Sequence, residues 1–116
     1  MIQVTFIEDG IWSLAPDGRI DTASARSVED AFNGLLDDGH HRIVVDCSGV
    51  AYMASAGLRV LMLGLRRARA LGGDVCLAAV APNVMQAFRM SGLDKLFAIH
   101  ATVDEAVQSI KRPDRA

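Results

Sequence analysis

The chain has 116 residues, of which 51% are hydrophobic and 22% are charged, and its formal net charge is -2. This length and composition suit one globular domain with a single hydrophobic core. The weak net charge excludes the basic surface that nucleic-acid binding needs and argues against electrostatic attraction to a membrane, so we expect neither partner.

The cysteines and the N-terminal residues indicate the cellular compartment of the protein. Cys47 and Cys76 both lie in apolar runs rather than in a spaced disulfide framework, which is typical of a reducing compartment. Segment 1–6 lacks the basic and continuous apolar parts of a signal peptide, and no later run approaches the ~18 apolar residues of a membrane helix. We therefore expect a soluble cytoplasmic protein with two buried thiols.

The first part of the chain predicts an antiparallel hairpin followed by a helix. Apolar and polar residues alternate from residue 2 to residue 15 on either side of Asp9-Gly10, a dipeptide that favours a two-residue turn. Pro16-Asp17-Gly18 then predicts a turn. A helix is expected to begin at one of the polar residues 21–24 and to end at Asp37-Asp38-Gly39.

The remaining elements alternate between strands and helices. Buried strands are predicted over 43–47 and 75–80 and a final strand over 97–99. Helices are predicted over 55–71, from Pro82 to Ser91 and after Thr102. Gly92 is expected to end the second of these helices, and a capping pattern at Thr102 to begin the third. A strand, a long helix and a second buried strand form a parallel crossover. The sequence therefore predicts an α/β domain over residues 1–111, with a mixed, mainly parallel sheet, an N-terminal antiparallel hairpin and about four helices, and a polar tail over 112–116.

Ser55 occupies the most distinctive position in the chain. A buried strand breaks into small residues, and the helical spacing of Leu58, Leu61 and Leu65 begins just after Ser55. An exposed hydroxyl at a helix N-terminus can cap the free backbone N–H groups, a role worth roughly 0.5–2 kcal/mol that needs no further function. The alternative interpretation is that this hydroxyl is a functional group.

Other chemistry has little support. His40, His41 and His100 lack a cysteine or carboxylate at metal-ligand spacing, so no metal site is expected. No glycine-rich phosphate loop follows a strand, so no cofactor is expected. Ser55 has no predicted base beside it, which leaves a small hydrolase as a weak alternative and predicts no catalytic residue. A receiver that is phosphorylated on Asp46 would need a helix after its first strand, where this pattern predicts a hairpin.

Five segments that together span nearly the whole chain form a recognisable series: Gly18-Arg19-Ile20-Asp21-Thr22-Ala23-Ser24-Ala25, Val44-Val45-Asp46-Cys47-Ser48-Gly49-Val50, Ser55-Ala56-Gly57-Leu58, Gly72-Gly73 and Ser91-Gly92-Leu93-Asp94-Lys95-Leu96-Phe97. In this order they resemble the STAS domain of bacterial anti-sigma factor antagonists. The resemblance implies a STAS-type fold and a non-enzymatic switch protein.

The resemblance also implies a partner-switching mechanism. The unmodified protein binds an anti-sigma factor and thereby releases a sigma factor, and the anti-sigma factor, itself a serine kinase, phosphorylates Ser55 to break the complex. A serine phosphatase restores the unmodified form. The resemblance does not decide the oligomeric state, and a 51% hydrophobic composition is compatible with a monomer or a weak dimer. The partner-binding residues carried over by the resemblance are Asp21, Thr22, Ser55, Ala56, Gly57, Leu58 and Arg59.

Ala54 departs from the family pattern, which has an aspartate directly before the serine. Because alanine cannot accept a hydrogen bond from a backbone N–H group, we expect Ser55 to cap the helix itself and its phosphorylation to be altered. The departure leaves an alternative open, in which the chain is a constitutive STAS adaptor in another complex, such as a stress-signalling or lipid-transport assembly, without a phosphorylation switch.

Overall fold

The computed structural model describes residues 2–111, and the predicted tail 112–116 lies outside this range. Within it the chain forms six strands, four α-helices and a 3-10 turn over Leu93–Lys95. The elements in order are β1 Ile2–Glu8, β2 Ile11–Ile20, α1 Thr22–Asp37, β3 Arg42–Asp46, β4 Gly49–Met53, α2 Ser55–Ala70, β5 Asp74–Ala78, α3 Pro82–Ser91, β6 Ile99–His100 and α4 Val103–Ile110.

The strands form the predicted mixed sheet, in the order β1-β2-β3-β5-β6. The β1–β2 pair is the antiparallel hairpin expected around Asp9-Gly10, and all other pairs are parallel. β2 is long enough to pair in parallel with two strands: its residues 11–14 pair with β3 and its residues 17–20 pair with β4. The predicted α/β class is confirmed.

Two sequence expectations around β2 and β4 are wrong. Pro16-Asp17-Gly18 is not a turn: Pro16 still pairs with Ile2 of β1, and Asp17 begins the pairing with Gly49 of β4. Gly18 adopts a φ of 75°, which glycine tolerates, at the irregularity where the β2–β4 register shifts. The strand β4 was not predicted at all, because five residues of mixed character carry no clear period on their own.

The core has two parts, one on each face of the sheet. Helices α1, α2 and α3 cover one face, where Phe32, Leu65 and Phe88 are almost completely buried. α4 covers the other face and packs its apolar residues against β2, β3 and β5. Cys47 and Cys76 are free and buried, as predicted, and burial raises the pKa of each thiol to about 12.

The later elements differ from the expectations mainly at their ends. The strand predicted over 75–80 corresponds to β5, which ends at Ala78 rather than at residue 80 because Ala79 turns the chain with a φ of 57°. The final strand begins at Ile99, since Phe97 instead turns into the core against Phe88, with 6.1 Å between the ring centroids. Thr102 caps α4 as expected, by accepting a hydrogen bond from the Glu105 backbone N–H at 3.1 Å.

Candidate functional site

The N-termini of α1 and α2 lie side by side at one end of the sheet. β2 and β4 pair in parallel up to Ile20 and Met53, and each strand leads directly into a helix. The backbone N–H of Ala54 donates a hydrogen bond of 2.8 Å to the carbonyl of Ile20, which fixes the start of α2 beside the end of β2. Two positive helix ends therefore share one surface.

Ser55 is the first residue of α2 and is exposed, as the sequence predicted. The prediction that it caps the helix is wrong, because the N-cap position belongs to Ala54, one residue earlier. The Ala54 carbonyl accepts hydrogen bonds from the N–H groups of Gly57 and Leu58, and no side chain caps this end. Within residues 2–111, the Ser55 hydroxyl has no hydrogen-bond partner. It stands free beside backbone N–H groups that the helix leaves open.

The adjacent helix α1 is closed by a full capping box. Asp21 accepts hydrogen bonds of 3.1 Å from the backbone N–H groups of Ala23 and Ser24, and the Asp21 N–H donates to the Ser24 hydroxyl at 2.9 Å. The hydrogen bonds from Ser24 lower the pKa of the Asp21 carboxyl, since they favour its charged form. Asp21 thus has a structural role, as its position at a helix start allows.

A groove of about 210 Å³ runs between the first turns of α1 and α2. It brings together three of the residues predicted to bind a partner. Leu58 and Gly57 lie elsewhere: Gly57 is buried and Leu58 packs half-buried against the core. The lining residues are Thr22, Ala25, Arg26, Glu29, Ala56, Arg59, Val60 and Leu63.

The groove also contains residues that the sequence analysis missed. Arg26 and Glu29 lie one turn and two turns beyond Thr22, and Leu63 lies one turn beyond Arg59, so helical spacing from the predicted residues could have found them. Among residues 2–111, Arg59 forms no ion pair. The groove therefore combines an apolar floor with free positive charge near Ser55.

Arg19 and Tyr52 form a second feature of this surface that was not predicted. They are paired across β2 and β4, and the Arg19 guanidinium lies 4.2 Å from the centroid of the Tyr52 ring, in a cation–π contact. Tyr52 remains 40% exposed. No sequence pattern could have joined the two residues without knowledge of β4.

Residues 2–111 contain no group of three histidine, cysteine or acidic residues placed to hold a metal ion. His40 and His41 precede β3, at the end of the sheet away from Ser55. Within the same residues, no helix combines the length and apolar character needed to cross a membrane.

Known proteins resemble this chain over almost its whole length. Residues 4–106 match the protein family described as the STAS domain. BtrV of Bordetella bronchiseptica, named as an anti-sigma factor antagonist, is 29% identical over 103 residues, which are 89% of each chain. The crystal structure of an anti-sigma factor antagonist from Thermotoga maritima superposes with a TM-score of 0.88 at 22% identity, covering 96% of this chain and 95% of that one.

The Bacillus protein SpoIIAA has the same fold and has been solved in two states. Its unphosphorylated form, described as an anti-sigma factor antagonist, matches with a TM-score of 0.83 at 20% identity, covering 95% of this chain and 96% of that one. Its phosphorylated form matches with a TM-score of 0.76 at 19% identity, covering 95% and 99%. The chain therefore belongs to the STAS domain family, and curated relatives such as BtrV are named as anti-sigma factor antagonists.

Proposed function

We propose that the protein binds an anti-sigma factor kinase while Ser55 is unmodified, that this binding releases a sigma factor, and that phosphorylation of Ser55 ends it. The single observation that carries the proposal is the free, exposed hydroxyl of Ser55 at the first position of α2. A kinase can reach this hydroxyl without breaking a hydrogen bond to residues 2–111. The existence of a phosphorylated form of SpoIIAA supports the same idea.

The groove between α1 and α2 is the surface on which we place the partner. Thr22, Ala56 and Arg59 line it within one helical turn of Ser55 or of the facing helix start. Alanine side chains let another backbone approach closely, and Arg59 offers an unpaired charge to a polar partner. Arg19 and Tyr52 extend the same surface beyond β4.

Phosphorylation at this position acts on the complex rather than on the fold. A phosphoserine carries about -1.5 to -2 charges, which the positive end of α2 accommodates. The same charge and its hydration shell must be desolvated if a partner packs against Ser55. Moving a complex from almost fully bound to almost fully free requires about 5.5 kcal/mol, a penalty that burying such a charge can supply.

The chain itself performs no chemistry in this scheme. ATP and its magnesium ion are bound by the kinase partner, and a serine phosphatase returns Ser55 to the binding-competent form. The regulatory character of the anti-sigma factor antagonists that it resembles supports this division of roles.

Ala54 favours a second candidate function, a constitutive STAS adaptor without a switch. The α2 N-terminus has no side-chain cap and no negative charge at Ala54, so the surroundings of Ser55 differ from those of the aspartate-containing family pattern. A kinase that recognises an aspartate directly before the serine would not phosphorylate Ser55 of this chain. The groove would then bind its partner permanently.

Intact-mass analysis of the protein purified from its own cells, with fragmentation to locate any modification, separates the two candidates. The switch predicts a phosphate on Ser55 in part of the protein and its loss in Ser55→Ala. Ser48→Ala is the matched control, because Ser48 is also an exposed serine and lies in the β3–β4 connection, at the opposite end of β4 from Ser55. An unmodified Ser55 under all growth and stress conditions, in protein that still co-purifies with a partner, would favour the adaptor.

A further inference from the structure

β1 lies at one edge of the sheet, with β2 on one side and, among residues 2–111, no strand on the other. An edge strand presents unpaired backbone N–H and C=O groups, and natural proteins usually protect it with lysine, proline or a covering element. The β1 sequence Ile-Gln-Val-Thr-Phe-Ile-Glu contains neither lysine nor proline. Its one charged residue, Glu8, is held by Lys111 at 2.7 Å, and a bulge separates it from the regular part of the strand.

One of the two faces of β1 is apolar. Val4 is 42% exposed and Phe6 is 55% exposed, and they share one face of the strand with the half-buried Ile2. The Phe6 ring rests against Trp12 of β2 with 5.6 Å between centroids, so it is held in place while more than half of its surface remains in water. Phe6 is therefore a fixed apolar projection beside the sheet edge.

The same face of the protein also contains a cavity, at the other end of β1. The cavity has a volume of about 300 Å³ and lies between the first residue of β1, the middle of β2 and the first turns of α1. Cavities of roughly 150 Å³ already accept a benzene ring. Its lining residues are Ile2, Pro16, Asp17, Ile20, Ser24, Ser27 and Val28.

We propose that two copies of the chain form a symmetric dimer by antiparallel pairing of β1 with β1, in the register that sets Val4 opposite Val4. This register places Phe6 of each copy opposite Ile2 of the other, and Ile2 is one of the residues that line the cavity. On the second face of the strand it sets Gln3 opposite Thr5. Apolar residues meet apolar residues and polar residues meet polar ones, which is the self-complementarity that a two-fold interface requires.

The neighbouring register is less complementary. Pairing centred on Thr5 would set Ile2 against Glu8 and Gln3 against Ile7, and it would draw the bulged end of β1 into the ladder. The register centred on Val4 uses only residues 2–6, which are regular. Five residues of strand span roughly 17 Å, so the buried area falls at the small end of specific interfaces. The dimer is therefore weak and depends on concentration.

Sedimentation equilibrium of the full chain, from roughly 10 µM to 1 mM, tests the association. We expect a monomer–dimer equilibrium whose dissociation constant rises at least about ten-fold in Val4→Lys and in Phe6→Ser. Met90→Ser is the matched control, because Met90 is 81% exposed on α3 and plays no part in the interface. Far-UV circular dichroism confirms that the variants are folded. A wild-type chain that stays monomeric throughout, or variants that dimerise as the wild type does, would overturn the proposal.

Disulfide trapping tests the register. Val4→Cys places two thiols directly opposite each other at about 4.5–5.5 Å between Cα atoms, within reach of a disulfide bond. Thr5→Cys places them roughly 8 Å apart, beyond that reach. The native thiols are buried and stay out of the reaction. Mild oxidation should therefore link Val4→Cys into covalent dimers much faster than Thr5→Cys. The opposite order would refute this register.

Discussion

Gly57 lies so close to Ile20 that a Cβ atom on Gly57 would stand 2.7 Å from the Ile20 Cγ2 atom. The Sδ atom of Met53 would be only 3.0 Å from the same Cβ. The first turn of α2 thus rests directly on the ends of β2 and β4, which is possible only because residue 57 has no side chain. This contact helps to keep Ser55 and the start of α1 on one surface.

We expect Gly57→Ala to destabilise the protein by about 1–3 kcal/mol, since the new methyl group overpacks the contact with Ile20. Urea unfolding at pH 7 measures the change. Gly34→Ala is the matched control, because Gly34 is an exposed residue inside α1 with no atom within 4 Å of the new Cβ. That control should stabilise the protein by about 0.5–1 kcal/mol. Equal effects of the two substitutions would contradict the close contact.

Asp21→Ala should lower the thermal midpoint by a few degrees at neutral pH, because it removes the capping box of α1. The pKa of Asp21 in the folded protein lies below the ordinary value of 3.8. The ionised carboxylate therefore stabilises the fold fully at pH values above 3.8, and this stabilisation is lost as the pH falls through the folded pKa. The difference between wild type and Asp21→Ala should therefore shrink in strong acid. Asp21→Asn also caps a helix but does not titrate, so its difference from Asp21→Ala should persist there.

Ala54→Asp should stabilise the protein by about 0.5–2 kcal/mol, since an aspartate at the N-cap can accept hydrogen bonds that the start of α2 now leaves unmade. Urea unfolding measures this gain in stability, and Ala54→Asn supplies the cap without the charge.

We also expect the rate of Ser55 phosphorylation to differ between wild type and Ala54→Asp, because the charge beside the acceptor changes. Identical rates in a kinase assay would show that residue 54 has no influence on the switch.

Features of the fold that depend on neighbouring residues could be predicted from the sequence. The Asp9-Gly10 hairpin, the glycine after α3 and the Thr102 cap are set by neighbouring residues, and all three were predicted. The identity of the α2 N-cap depends on a one-residue difference in where the helix begins, and periodicity does not resolve this. Ser55 therefore lies at the predicted start of α2, but the N-cap position is occupied by Ala54 and the predicted side-chain cap is not formed.

The features that sequence reasoning missed depend on distant partners. β4 exists because the second half of β2 is available to pair with it, and β2 continues through Pro16 because its partner changes there from β1 to β4. The Arg19–Tyr52 contact follows from the same pairing. The local propensities of Pro16 and Tyr52 do not indicate that a partner strand lies more than thirty residues away in sequence. These features could therefore be identified only from the structure.

The order of the strands in the sheet nearly repeats their order along the chain. β2 joins β1, β3 joins β2, β4 joins the free second half of β2, β5 joins β3 and β6 joins β5. No later strand inserts between two earlier ones. The sheet can therefore be built during translation, with each strand added to an available edge as it leaves the ribosome, and no pairing made early has to be broken for a strand that arrives later.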